Sequence, residues 1–156
     1  MDKQDAARAA PRVAALTADD RARWLPLWRG YQEFYRADIA DATSAITFER
    51  LTGRTEPMGG FLAFLGDEAI GLTHWIAHRS CWTVGDYCYL QDLFVAPERR
   101  GSGVARALIG AVEDVARARG CSRVWWLTHE TNAQAMALYD KVAARSGFVQ
   151  YVKKLA

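Results

Sequence analysis

The stretch "YLQDLFVAPERRGSGVARALI", from Tyr89 to Ile109, constrains this chain more than any other part of it. An apolar, strand-like run ends at Pro97, two arginines and two glycines follow, and an apolar-periodic helix begins at once. A strand feeding through a glycine loop into a helix is a building unit of an α/β domain. It also turns backbone N–H groups toward the helix start, where a phosphate-bearing ligand can sit.

The flanking sequence supplies the remaining elements. "RVAAL", from Arg12 to Leu16, reads as a short strand, and Thr17 with Asp20 reads as a helix cap. Trp24, Leu27, Trp28, Tyr31 and Tyr35 recur at helical spacing as one apolar stripe. Pro26 inside that stripe predicts a kink or a two-part helix. A short helical piece is expected over 47–51, with "GRTEPMGG" as a loop after it. "FLAFL" and "AIGLTHWIAH" flank "GDE" at 66–68 as an antiparallel hairpin. The helix after Gly101 is stopped by Gly120, "SRVWWLT" is a strand, Asn132 to about Arg145 a helix, and "GFVQYVKKL" a last strand.

The resulting order, β-α-α-β-β-β-α-β-α-β, means a mixed sheet packed by helices. A chain of 156 residues suits one core. We expect one domain over 11–156 after a loose polar tail at 1–10. The net charge of +2 is a small difference between 20 basic and 18 acidic residues, so it supports no nucleic-acid surface. No run of 18 apolar residues suggests a membrane span, the start lacks the apolar stretch of a signal peptide, and a cytoplasmic location is expected. Cys81, Cys88 and Cys121 are odd in number and lack metal-type spacing. His74 and His78 would share a strand face roughly 13 Å apart, too far for one metal, so no metal is expected.

Spacing separates three readings of the glycine loop. A nucleotide P-loop needs a lysine after its last glycine, and none follows here. A dinucleotide fingerprint needs a small residue where Arg106 stands, and an acidic residue about 20 positions on is missing. The third reading matches: Arg100, Gly103 and Ala105 form Arg-x-x-Gly-x-Ala. Gly101 and Gly103 let the N–H groups of 101–105, including those of Ser102 and Val104, turn toward an anion, with Arg99, Arg100 or Arg106 as charged helpers.

That pattern resembles the GNAT N-acetyltransferase superfamily. "ETNAQAMALYDKV" with "SGF" is similar to the second conserved segment of that family, so the resemblance covers nearly everything after Arg12. It implies a single-domain α/β fold: a mixed, mostly antiparallel sheet of about six to seven strands, helices on both faces, and a splayed central strand. It also implies acetyl-CoA as co-substrate, its diphosphate on the loop from Arg100 to Ala105. Backbone groups of Phe94 and Val95 would pair with the pantetheine arm, and one N–H in Leu93–Val95 would polarise the thioester carbonyl. Asn132 would contact or hold the same arm, and Tyr139, two helical turns on, would protonate the leaving sulfur.

An acceptor amine with a pKa near 10 must lose a proton before it attacks, so a base or a water path is needed. The histone/polyamine-type and spermidine/spermine acetyltransferases, which this chain resembles most in pattern, have Glu-Asp where Gln91 and Asp92 stand. Gln91 cannot act as a base. Asp92 would face the other way unless a bulge re-aims it, and it is the candidate base or amine binder. Gln91, Asp92, Glu33 and Tyr35 are candidate acceptor-binding residues, with Asp38 and Asp41 nearby. The extra turn in "YDKVAARSGF" and the "WLPLWRGYQEFY" helix also resemble the histone/polyamine-type group, and that resemblance implies a small cationic amine or a basic protein tail as acceptor. Acetylation of amino acids, drugs or protein N-termini, and a non-catalytic sensor that keeps the acyl-CoA cradle, are the alternatives. Cys88 as an acyl carrier and His129, between Thr128 and Glu130, as a proton relay are further options. An apolar last strand would pair with a second copy, so a homodimer is expected.

Overall fold

In the computed structural model, residues 10–155 are described, so most of the expected N-terminal tail lies outside the described residues. They form five strands and four α-helices. Strands β1 (Arg12–Ala15), β2 (Met58–Leu65), β3 (Glu68–His78) and β4 (Tyr87–Val95) pair antiparallel in that order. Strand β5 (Arg123–Trp125) joins β4 in parallel. The expected six to seven strands are therefore five among the described residues, and β4 is the fourth of them rather than the central one.

The missing strand is "GFVQYVKKL", where no strand forms. Alternating apolar residues make a strand only against a partner ladder, because the backbone groups need one. Residues from Leu127 onward form a compact unit of their own, distinct from the unit that ends at Trp126, and no strand of that unit offers such a partner. For the same reason "SRVWWLT" is extended only over Arg123–Trp125, the residues that pair with β4.

Helix α1 (Arg21–Tyr35) is one uninterrupted helix, not two pieces. Pro26 removes only the bond to Ala22, and both residues are exposed near the helix start, where the loss is small. The Thr17–Asp20 capping box is present and opens a 3-10 turn that leads into α1. Helix α2 (Asp41–Thr52) is longer than the expected 47–51, and β2 begins within the segment read as a loop.

Helices α1 and α2 cover one sheet face: Trp24, Leu27, Trp28, Phe48 and Leu51 pack with Leu62, Phe64, Leu72 and Phe94. Helix α3 (Val104–Ala118) covers the other, where Val104 and Leu108 pack with Ala63, Ile70 and Val95. Burying these alternating side chains on both faces is what fixes the strand registers. In the second unit, helix α4 (Ala133–Val142) starts at Asn132.

Candidate active site

Two consecutive features of β4 and its following loop build the site. The first is a bulge. His74 pairs with Asp92 and Trp75 with Leu90, which leaves Gln91 without a partner on β3. The extra residue reverses the side-chain phase. Tyr89, which stacks on Trp125 at 4.2 Å, and Asp92 therefore both lie on the α1 side, where strict alternation from Tyr89 would have sent Asp92 to the α3 side. Gln91 is left exposed.

The second feature is an open strand edge. The β4–β5 ladder stops at the Tyr89–Trp125 pair, so the far edge of β4 from Leu90 to Val95 has no strand partner among the described residues. The phase of its backbone follows from one bond: Ala96 N–H donates to the Ile70 carbonyl at 2.9 Å, toward β3. In an antiparallel ladder alternate residues point the same way. Asp92 and Phe94 thus face β3, while the N–H and C=O of Leu93 and Val95 face the open edge. Of the two backbone positions expected to meet pantetheine, Val95 faces the open edge and Phe94 faces β3, and Leu93 shares the open edge with Val95. The Phe94 ring lies instead in the core against α1.

After β4, a 3-10 turn (Pro97–Arg99) leads to the glycine loop. Gly101 and Gly103 have φ of 78° and 85°, left-handed conformations that favour glycine, and Gly103 is the N-cap of α3. Among the described residues, the N–H groups of 101–105 make no backbone hydrogen bond. Four or five donors at the positive end of a 15-residue helix fit an anion such as a diphosphate. The Ser102 hydroxyl donates to the Arg99 carbonyl at 2.5 Å and shapes the turn. The arginines divide their tasks. Arg99 pairs with Glu68 at 2.9 Å, Arg106 is exposed, and Arg100 Nε donates to the Val95 carbonyl at 3.2 Å. The Arg100 guanidinium also lies over the rings of Phe34, 5.2 Å away, and Phe94, 5.9 Å away.

Asp92 is buried, and its carboxylate is engaged. His74 Nδ1 lies 2.8 Å from Asp92 Oδ2, and Trp24 Nε1 donates to His74 Nε2 at 2.9 Å. An indole N–H only donates, so His74 Nε2 is the acceptor and Nδ1 carries the proton given to Asp92. Tyr31 lies beside Asp92, and burial followed by this carboxylate pushes its phenol well up. Burial and then Asp92 push the Tyr89 phenol up as well. The α1 stripe is a run of contacting rings, Trp24 stacked on Trp28, Trp28 on Tyr31, and Tyr35 tilted against Tyr31, at 5.6, 5.2 and 4.8 Å. It runs from the buried network to Tyr35 at the surface. Glu33, Asp38 and Asp41 are exposed.

In the second unit, Asn132 caps α4: its Oδ1 accepts from Ala135 N–H at 3.4 Å and its Nδ2 donates to Thr128 Oγ1 at 3.4 Å. Tyr139 lies two turns along the same helix, half-buried. His129 is exposed and spends Nδ1 on Thr131. Cys88 is fully buried, and burial pushes its thiol up to about 11, which leaves it a poor nucleophile at neutral pH. Among the described residues no cluster of three metal-ligating side chains occurs, and no helix is long and apolar enough to cross a membrane.

The sequence reading excluded His74 from a metal site and placed Trp24 and Tyr31 in an apolar stripe, and it passed over Thr73. Their connection to Asp92 depends on the bulge, which no local pattern announces.

An open strand edge running into an anion cradle at a helix start places the chain among the acyltransferases that draw their group from coenzyme A. More particularly, residues 23–144 match the acetyltransferase (GNAT) family; the chain belongs to it and is an N-acetyltransferase of a family that uses acetyl-CoA. It is 36% identical over 142 residues to the D-amino-acid N-acetyltransferase HPA3 of Saccharomyces cerevisiae, covering 89% of this chain and 88% of that protein. It is 39% identical over 83 residues to a thialysine N-epsilon-acetyltransferase of Caenorhabditis elegans, covering 53% of this chain and 51% of the relative. The aminoglycoside N-acetyltransferase AAC(6')-Iy, solved in complex with CoA, shares the fold with a TM-score of 0.81 at 18% identity, covering 94% of this chain and 96% of that one.

Proposed function

We propose that residues 11–156 act as one domain that moves the acetyl group of acetyl-CoA to a small primary amine by direct attack in a ternary complex. The observation that carries this reading is the pairing of unspent loop amides at 101–105 with outward backbone groups at Leu93 and Val95. The loop holds the diphosphate, with Arg100, Gly101, Ser102, Gly103, Val104 and Ala105 as its residues. The β4 edge pairs with the pantetheine arm, and one of its N–H groups stabilises the oxyanion as the amine attacks the thioester carbon. Tyr139 gives a proton to the departing sulfur, and Asn132 helps hold the arm.

On the acceptor side, Asp92 stands where the related polyamine enzymes keep the second member of an acidic pair. Its Oδ2 is occupied by His74, so water takes the amine proton and Asp92 provides the negative charge that draws an ammonium in. Gln91, Glu33 and Tyr35 line the approach. The acceptor class is a small cationic amine or a lysine-like side chain. A second reading, the α-amine of an amino acid, is favoured by the near full-length similarity to a D-amino-acid N-acetyltransferase. We also propose a homodimer, on the exposed Phe148, Val149, Tyr151, Val152 and Leu155, and a reducing, cytoplasmic setting, in keeping with three free cysteines.

A panel of polyamines, lysine peptides and D- and L-amino acids, read by release of free CoA thiol, tests the reading. Release with one class identifies the acceptor. Acetyl-CoA binding without release across the whole panel overturns it.

A further inference from the structure

Asp92 is gripped twice from β3, by neighbouring residues on opposite sides of the strand. His74 Nδ1–H holds its carboxylate at 2.8 Å, and the Thr73 hydroxyl donates to its backbone carbonyl at 2.8 Å. Thr73 and His74 are both buried, as is Asp92. Trp24 locks His74 from behind through Nε2. The peptide that joins Asp92 to Leu93 is trans, since none of the described peptides is cis. In a planar trans peptide the carbonyl and the next N–H point in opposite directions. A carbonyl pulled toward Thr73 therefore sends the Leu93 N–H away from β3, into the open edge.

This matters because the edge is held from one side only. Residues Leu90 to Val95 have lost their second strand, and Gln91 has lost its partner on the first. A free bulge of this kind swivels unless something holds the residue next to it, and an oxyanion donor acts only when it is already aimed. From the acetyl-transfer reading of the β4 edge, on which this step rests, we infer that Thr73 and His74 are positioning residues that aim the Leu93 N–H at the thioester carbonyl oxygen through Asp92. Neither touches the reacting atoms. The clamp also accounts for Asp92 apart from any role as a base: its carboxylate is the handle by which the bulge is held.

The test compares Thr73→Val, which removes only the hydroxyl, with Thr73→Ser, which keeps it. It also compares His74→Phe with His74→Asn, whose amide retains a donor near the Nδ1 position. Thr73→Val and His74→Phe are expected to lower kcat about ten-fold with KM for acetyl-CoA within two-fold, because aiming rather than binding is lost. The Ser and Asn variants are expected to recover most of the rate. Unchanged kcat in Thr73→Val and His74→Phe overturns the clamp. A second measurement needs no acceptor: in ¹⁵N-labelled protein the Leu93 and Val95 amide signals should move when acetyl-CoA is added. The Leu93 response alone should shrink in Thr73→Val and return in Thr73→Ser. An undiminished Leu93 response in Thr73→Val also overturns the clamp, and this holds even if His74→Phe does not fold. Failure of the wild type to release CoA with any amine counts against the acetyl-transfer reading instead, and the amide measurement still decides the clamp.

Discussion

Gly30 of α1 lies so close to the ring of Phe94 on β4 that a Cβ added there would stand 2.8 Å from the ring's Cζ. The same Phe94 ring has Arg100 over it at 5.9 Å, so one aromatic side chain links the first helix to the glycine loop. Gly30→Ala would gain up to about 1 kcal/mol of helix propensity and lose about 1–3 kcal/mol to overpacking. We expect a net loss of about 1 kcal/mol by urea denaturation, together with weaker acetyl-CoA binding as Arg100 is displaced. A Gly30→Ala protein more stable than wild type would show that the ring yields freely.

Gly103 presents the opposite case, since a Cβ there meets nothing within 4 Å. The constraint is the backbone itself, at φ 85°. Gly103→Ala is expected to cost about 1–2 kcal/mol of stability from strain alone. If the loop relaxes by turning its amides away, acetyl-CoA affinity should fall about ten-fold, and isothermal titration measures it. Wild-type stability and affinity together would remove the loop geometry from the argument.

Tyr139→Phe keeps the ring and removes the hydroxyl. For a general acid the expected result is a drop in kcat of about 10²-fold with acetyl-CoA binding unchanged. A rate within two-fold of wild type would exclude this tyrosine from sulfur protonation.

Cys88 makes stability fall in alkali. Its thiol ionises near 9 when unfolded and about 11 in the fold, where burial opposes the thiolate. Below pH 9 both states are neutral and the group contributes no pH dependence. Between 9 and 11 the unfolded chain gives up its proton while the fold keeps it, so stability drops by about 2–3 kcal/mol as pH rises. Tyr31, raised by burial and by Asp92, adds to the same trend at higher pH. Cys88→Ala should flatten the 9-to-11 portion of the stability curve and leave kcat at neutral pH within two-fold. An equally steep curve in the variant would assign the loss to other groups.

The conformation of the glycine loop was legible in residue order. Arg-x-x-Gly-x-Ala is a local pattern, and local backbone conformation decides it: the glycines take positive φ and α3 starts directly after them. The hairpin at Gly66 and Asp67 and the amphipathic face of α3 were legible for the same reason. Pro26 misled because its cost depends on where in the helix the missing bond falls, and the last strand misled because pairing, not alternation, makes a strand.

The surroundings of Asp92 were hidden because they are built across strands. By itself the sequence determined the glycine loop, the helix that follows it and the presence of an aspartate beside a glutamine on β4. Only the tertiary structure decided which way that aspartate faces. The pairing of His74 with Asp92 and of Trp75 with Leu90 forces Gln91 out of the ladder, and that choice is made by burial of side chains 15 to 18 residues apart in the chain. A one-residue bulge reverses every side chain beyond it, so a non-local pairing sets the chemistry of a local motif.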